Sequence, residues 1–166
     1  PTPYSVLERL ANSGYIGKKN TVIDYGCGKG RVDFFLAWQV RCRTTGVEYD
    51  ERMIKAAEEN RQRAVSGAKT TFILENAALF QVPESADRFY FFNPFSVEIF
   101  HTVLAKLYES YYEKPRELLL FFYYPSEDYI SSLMTQEQLM FYDEIDTSDL
   151  FPGDDNRERI MIFRVI

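Results

Sequence analysis

Short runs of apolar residues alternate along the chain with stretches of helical periodicity. Five of these runs are rich in β-branched and aromatic residues, as is typical of buried strands. The predicted strands are 21–24, 44–48, 70–74, 87–92 and 117–124, followed by a closing pair at 139–145 and 159–166. The predicted helices, where apolar residues recur every three or four positions, are 31–40, 50–66, 96–112 and 126–133. This alternation predicts an α/β fold with a mostly parallel sheet.

Residues 1–17 form a predicted lead-in helix ahead of the first strand. Ser5 followed three residues later by Glu8 is typical of a capping box, which places the N-cap at Ser5. The whole chain has 166 residues, of which 46% are hydrophobic and 16% aromatic, so we expect residues 1–166 to form one domain. Because the sequence starts at Pro1 and not at Met, we expect that an N-terminal piece is missing.

Composition excludes several classes of protein. No apolar run approaches the ~20 residues of a membrane-spanning helix, and no signal peptide is recognisable, so no membrane partner is expected. Two cysteines, Cys27 and Cys42, and one histidine are too few for a common zinc cluster, and no metal is expected. Two unpatterned cysteines predict a reducing, cytoplasmic location.

Charge is distributed unevenly along the chain. The stretch 117–156 holds ten acidic residues and no lysine or arginine. The rest therefore carries 19 basic and 15 acidic groups, a net charge of +4, although the whole chain has −6. The acidic third is either a solvated face or a surface that attracts a cationic substrate or a basic partner.

A glycine-rich turn lies between the first predicted strand and its helix. Its pattern is D-x-G-x-G-x-G, from Asp24 to Gly30, and not the G-x-G-x-x-G of dinucleotide-binding folds. Glycines permit a positive φ and leave room for a ligand on the turn, while the N–H groups of the new helix face that ligand. An acid before the first glycine repels a pyrophosphate but suits a ligand with an amino group. Cys27, within the turn, is expected to be a small filler residue.

This stretch resembles motif I of the class I S-adenosylmethionine (SAM) dependent methyltransferases. The resemblance implies a three-layer αβα Rossmann-like sandwich, with a seven-stranded, mostly parallel sheet of order 3-2-1-4-5-7-6 whose seventh strand is antiparallel. It also implies SAM as cofactor, S-adenosylhomocysteine (SAH) as product and no metal. The turn residues that would hold the methionine part of SAM are Asp24, Tyr25, Gly26, Cys27, Gly28 and Gly30.

Two further positions are candidates for the adenosine part. Glu48 ends the second predicted strand, and its two carboxylate oxygens could accept hydrogen bonds from both ribose hydroxyls. Tyr49 beside it could lie against the adenine. The resemblance to the family assigns adenine recognition to Asn76 and the Ala77 backbone after strand three, although an Asx-turn at Asn76 is the alternative.

Asn93-Pro94-Phe95 follows the fourth predicted strand, where the family's active site opens. It resembles the [DN]-P-P-[FY] signature of amino methyltransferases, but the second proline is missing and the aromatic residue comes one position early. In that family the Asn and a proline carbonyl hold the acceptor NH2, so the resemblance assigns catalytic positioning to Asn93, Pro94 and Phe95, with Asn93 also next to SAM. An Asn-Pro turn that caps the following helix is the alternative.

The predicted function is SAM-dependent methyl transfer to an acceptor whose methylated atom could be nitrogen. A small molecule or a protein side chain is favoured as acceptor. RNA is a further candidate because several basic residues could form a patch: Lys18, Lys19, Lys29, Arg31, Arg41 and Arg43. Two rival hypotheses are a non-catalytic SAM-fold subunit that binds a partner through its acidic C-terminal third, and an NAD-dependent oxidoreductase, which the glycine spacing disfavours.

Overall fold

Seven strands and five helices alternate in the computed structural model, which describes residues 1–166. The helices are α1 (Tyr4–Ala11), α2 (Arg31–Gln39), α3 (Glu51–Arg63), α4 (Val97–Glu113) and α5 (Glu127–Met134). The strands are β1 (Thr21–Tyr25), β2 (Arg43–Glu48), β3 (Thr70–Leu74), β4 (Arg88–Phe91), β5 (Leu119–Tyr123), β6 (Leu139–Asp146) and β7 (Arg159–Val165). No helix is long and apolar enough to span a membrane.

The strands form one sheet of order β3-β2-β1-β4-β5-β7-β6. The pairs among β1 to β5 are parallel, while β7 runs antiparallel to both β5 and β6. This confirms the predicted fold class and strand order. The order reverses between β1 and β4, and the crevice at such a switch point is where open α/β sheets bind ligands.

Helices cover both faces of the sheet, which gives the three layers. Alternate residues of each buried strand point to opposite faces. On one face, Val22 of β1 packs with Leu7 of α1 and Leu36 of α2. On the other face, Ile23 of β1 packs with Phe100 of α4. Tertiary burial rather than helix propensity therefore fixes where these helices lie.

The helix starts follow the sequence with one exception. The side chains of Asp50, Ser96 and Ser126 each accept a hydrogen bond from a backbone N–H of the first turn of α3, α4 and α5. The predicted capping box at Ser5 is wrong, because α1 begins at Tyr4 with Pro3 as N-cap. Proline is suited to the start of a helix, since its fixed φ is compatible with it and no donor is lost there.

Parallel register brings four loops to one edge of the sheet. Tyr25 lies beside Phe91, and Phe91 beside Phe122. Glu48 lies beside Leu74. The segments after β1, β2, β3 and β4 therefore meet at the carboxyl edge, where the sequence-predicted site residues are found.

Candidate active site

The glycine turn after β1 has a backbone that only glycine adopts without strain. Gly26 has φ 72° and Gly28 has φ 55°. A Cβ on Gly26 would lie 2.7 Å from Cβ of Pro94, so the turn can approach the β4 loop only without a side chain. A Cβ on Gly28 would meet no atom within 4 Å, because this residue faces open space. The turn is therefore packed on one side and free on the other.

Two cavities flank this turn at the carboxyl edge of the sheet. The turn cavity, of about 650 Å³, is lined by Asp24, Gly28 and Phe92 among others. The Glu48 cavity, of about 130 Å³, is lined by Glu48 and by the loop after β3. Gly26 lines both cavities, so an elongated ligand that crosses Gly26 would occupy both.

Glu48 is held in place by two backbone donors. The N–H of Gly28 donates to Oε1 at 3.1 Å, and the N–H of Asp50 donates to Oε2 at 3.1 Å. Each oxygen keeps a lone pair for a further donor. A carboxylate fixed in this way, on the wall of a cavity, suits a ligand with two neighbouring hydroxyl groups.

The loop after β3 supplies the other wall of the Glu48 cavity. The Asn76 carboxamide oxygen accepts from the N–H of Ala78 at 2.9 Å, so the Asx-turn is formed. The Ala77 N–H makes no hydrogen bond within the protein and is free to donate to a ligand. Tyr49 lines the same cavity and is 79% exposed, which leaves its ring open to contact.

A buried pair of carboxyl groups lies behind the turn cavity. Asp24 is 3% exposed and Asp33, in the first turn of α2, is fully buried. Oδ2 of Asp24 and both carboxyl oxygens of Asp33 receive no hydrogen bond from an N–H or a hydroxyl group. Two ionised carboxylates without donors are costly to bury side by side, so the pair retains a proton.

Burial controls the protonation of this pair. The pKa of Asp24 is raised to about 6, chiefly by burial; a hydrogen bond from Asp33 opposes the rise, and the negative charge of Glu48 adds to it. The pKa of Asp33 is also raised, first by burial and then by the charge of Asp24. Asp24 lines the turn cavity and Asp33 does not, so a negative charge on this pair would face the cavity through Asp24. Asp33 was not predicted as a site residue from the sequence. The feature that could have indicated its burial is its position as the one acid in the otherwise apolar run Val32–Trp38.

Two predicted turn residues contribute backbone or packing rather than reactive side chains. The Tyr25 ring is buried and stacks on Phe91 with a centroid distance of 4.9 Å. The Cys27 thiol is buried, and burial raises its pKa, with nearby carboxylates adding to the effect. A buried thiol with a raised pKa is a weak nucleophile; the filler role of Cys27 stays a prediction. The Cys27 side chain packs against Gly46 of β2, because a Cβ added at position 46 would lie only 2.6 Å from the Cys27 sulfur.

Asn93 is placed at the carboxyl end of β4, but its side chain is used inside the protein. Its Nδ2 donates to the Tyr124 carbonyl at 2.8 Å, and its Oδ1 accepts from the Ser126 N–H at 2.9 Å. Its backbone has φ 43°, an uncommon value for a residue other than glycine. These contacts join the β4 loop to the β5 loop. Pro94 and Phe95 both line the Glu48 cavity, and the Pro94 carbonyl accepts no hydrogen bond within the protein.

His101, Tyr4 and Tyr124 are outside the two cavities. His101 Nε2 is 2.6 Å from the hydroxyl of Ser132 in α5, which is a contact between two helices. The Tyr124 hydroxyl donates to Asp155. Tyr4 lies under the guanidinium of Arg31, 4.5 Å from the ring centroid.

Comparison with known proteins agrees with this arrangement. A family described as methyltransferase domain matches residues 16–140, which is more than half of the chain. The chain belongs to this methyltransferase family. It is therefore a SAM-dependent methyltransferase, with the Rossmann-like fold of that class. A search of curated proteins found no match in sequence.

Similar solved structures share this fold at low sequence identity. An RNA methyltransferase from Salinibacter ruber, in complex with SAH, has 18% identity and a TM-score of 0.63, over 99% of this chain and 92% of that one. A putative rRNA methylase from Clostridium thermocellum has 16% identity and a TM-score of 0.67, over 98% and 93%. A mitomycin 7-O-methyltransferase has 14% identity and a TM-score of 0.69, over 98% of this chain and 53% of that one.

Proposed function

We propose that SAM lies across Gly26, with its methionine part in the turn cavity and its adenosine in the Glu48 cavity. The observation that carries this proposal is the contrast between the two carboxyl sites. Asp24 has a buried oxygen without a donor beside the larger cavity, and Glu48 is fixed by backbone donors beside the smaller one. An ammonium group would neutralise the first carboxylate, and a ribose diol would satisfy the second.

The adenine would then reach the loop after β3. The free N–H of Ala77 suits a ring nitrogen acceptor, and the exposed ring of Tyr49 suits a planar base. The carboxamide oxygen of Asn76 accepts one hydrogen bond in the Asx-turn and has a second lone pair, so the adenine amino group could still donate to it. Tyr25 and Cys27 would contribute backbone and packing to the same site.

The acceptor would approach between Pro94 and the turn. Bound SAM supplies a methyl group on an activated sulfonium, so the protein has mainly to position the acceptor and exclude water. We propose that the free Pro94 carbonyl accepts a hydrogen bond from an acceptor N–H, while the Phe95 ring limits the space. Asn93 would act as a positioning residue, because both polar atoms of its side chain hold the β4 and β5 loops together.

A nitrogen on a small molecule, a protein side chain or RNA fits this arrangement. Structural neighbours named as an RNA methyltransferase and as a mitomycin 7-O-methyltransferase support RNA and a small molecule as classes of acceptor. We place the protein in a reducing compartment such as the cytoplasm, which the two free, buried cysteines support.

The cofactor assignment is tested by comparing two ligands that differ only in the amino acid part. SAH has that part, and 5′-methylthioadenosine lacks it. We expect Asp24→Asn to weaken SAH by about 10- to 100-fold, because a charged hydrogen bond is lost, and to leave methylthioadenosine unchanged. Glu48→Gln should weaken both ligands. Isothermal titration measures these constants, and equal losses for both ligands in Asp24→Asn would contradict the orientation.

A further inference from the structure

A second groove runs along α2, away from the two cavities at the carboxyl edge. It consists of two adjoining cavities of about 750 and 430 Å³ that share Trp38, Val65 and Ser66 as lining residues. We call it the Trp38 groove. It begins near Lys29, just before α2, and continues past Arg41, just after α2, to Lys69 before β3.

Every charged side chain that lines the Trp38 groove is basic. These residues are Lys18, Lys29, Arg31, Arg41 and Lys69. They come from four separate parts of the sequence, and the fold brings them to one surface. The whole chain has a net charge of −6, so this concentration of positive charge is local. A groove of five cations without an acid attracts a polyanion.

Aromatic rings line the same groove and are open to solvent. Trp38 is 56% exposed, although its edge packs against Phe35 at a centroid distance of 5.9 Å. Tyr4 is 57% exposed and stacks under Arg31. Exposed aromatic rings beside cations provide stacking surfaces for bases that follow a phosphate backbone.

We propose that the Trp38 groove binds single-stranded RNA. An acidic peptide would satisfy the cations but would leave Trp38 without a planar partner. The bases of a duplex are already stacked on each other, whereas those of a single strand are free to stack on a side chain. Lys29 and Arg31 also line the turn cavity, so one end of the groove adjoins the proposed cofactor site. The rest of the groove, around Trp38 and Lys18, lies outside both cofactor cavities.

Trp38 is the only tryptophan in the chain, so its fluorescence reports on this surface directly. We would titrate the wild-type protein with a 12-nucleotide unstructured RNA and record both tryptophan emission and the anisotropy of labelled RNA. The expected result is saturable quenching that follows the anisotropy change. The affinity should fall as salt rises, with a slope of about −0.7 for each phosphate contact.

Three variants assign the binding to the groove. Trp38→Ala should weaken RNA binding by about fivefold or more, the range of one lost base-stacking contact. Lys18→Ala, on the groove, should weaken binding and reduce the salt slope by about 0.7. Lys114→Ala removes an exposed lysine that lies outside the groove, and its affinity should equal that of the wild type.

Several results would overturn this proposal. One is that Trp38→Ala and Lys18→Ala bind RNA as tightly as the wild type does. Another is that the wild type binds a DNA strand or polyglutamate more tightly than it binds RNA. A third is that the wild type binds no RNA at low salt. SAH affinity is measured on the same variants. Because neither Trp38 nor Lys18 lines the two cofactor cavities, their SAH affinity should be normal. Loss of RNA binding is thereby distinguished from failure of the cofactor site.

Discussion

Replacing Asp33 by asparagine should stabilise the protein at alkaline pH and not at acidic pH. The folded protein holds protons on the Asp24–Asp33 pair that the unfolded chain releases at lower pH, so wild-type stability falls as pH rises through this window. For Asp24 alone, a pKa of about 6 in place of 3.8 corresponds to about 3 kcal/mol of unfolding free energy, lost between about pH 4 and pH 7. Asp33, whose pKa is also raised, extends the loss to higher pH.

The asparagine would remove one carboxyl and place an amide donor against the other. The amide can donate to the Asp24 carboxylate at every pH, whereas the Asp33 carboxyl can donate only while it holds a proton, so the pKa of Asp24 falls. We expect Asp33→Asn to be more stable than wild type by about 1–3 kcal/mol at pH 8 and nearly equal at about pH 4. Urea unfolding followed by circular dichroism gives these values, with the exposed Asp154→Asn as control. Parallel pH curves for Asp33→Asn and wild type would refute the shared-proton account.

Two other substitutions test the geometry of the site. Gly26→Ala should abolish SAH binding and lower the free energy of unfolding by roughly 1–3 kcal/mol, because the φ of 72° disfavours a side chain and a Cβ would lie 2.7 Å from Pro94. Calorimetric titration measures the first effect and urea unfolding the second. Unchanged SAH affinity would contradict the proposed role of the turn. Asn93→Ala should reduce methyl transfer to an identified acceptor more than it reduces the affinity for SAH, because the hydrogen bonds of Asn93 to Tyr124 and Ser126 position the loop after β4. Equal losses of turnover and of SAH affinity would argue instead that Asn93 contacts the cofactor directly.

Local sequence features predicted the strands and the position of Glu48 at the end of β2. The turn, the strand ends and Glu48 depend on chain segments of a few residues, and the strand order follows from the resemblance of the Asp24–Gly30 stretch to a known family. Asp50 as the cap of α3 is likewise a local signal.

Other features depend on contacts between distant parts of the chain. Asp33 has the position of an ordinary acidic residue in a first helical turn, and only packing against β1 shows that it is buried with Asp24. The hydrogen bonds of Asn93 reach residues 31 and 33 positions later. The Trp38 groove requires α1, α2 and the segment after α3 to meet. The basic patch suggested by single positions in the sequence therefore contains four of its five cations but not its aromatic wall.

The proposed site requires that SAM binds across Gly26 with its ribose on Glu48. Isothermal titration of SAM and SAH into the wild type and into Glu48→Ala measures this. We expect micromolar binding of both ligands by the wild type and its loss in Glu48→Ala, since both ribose hydroxyls lose their acceptor. Binding by Glu48→Ala that equals the wild type, or no binding by the wild type, would contradict the assignment.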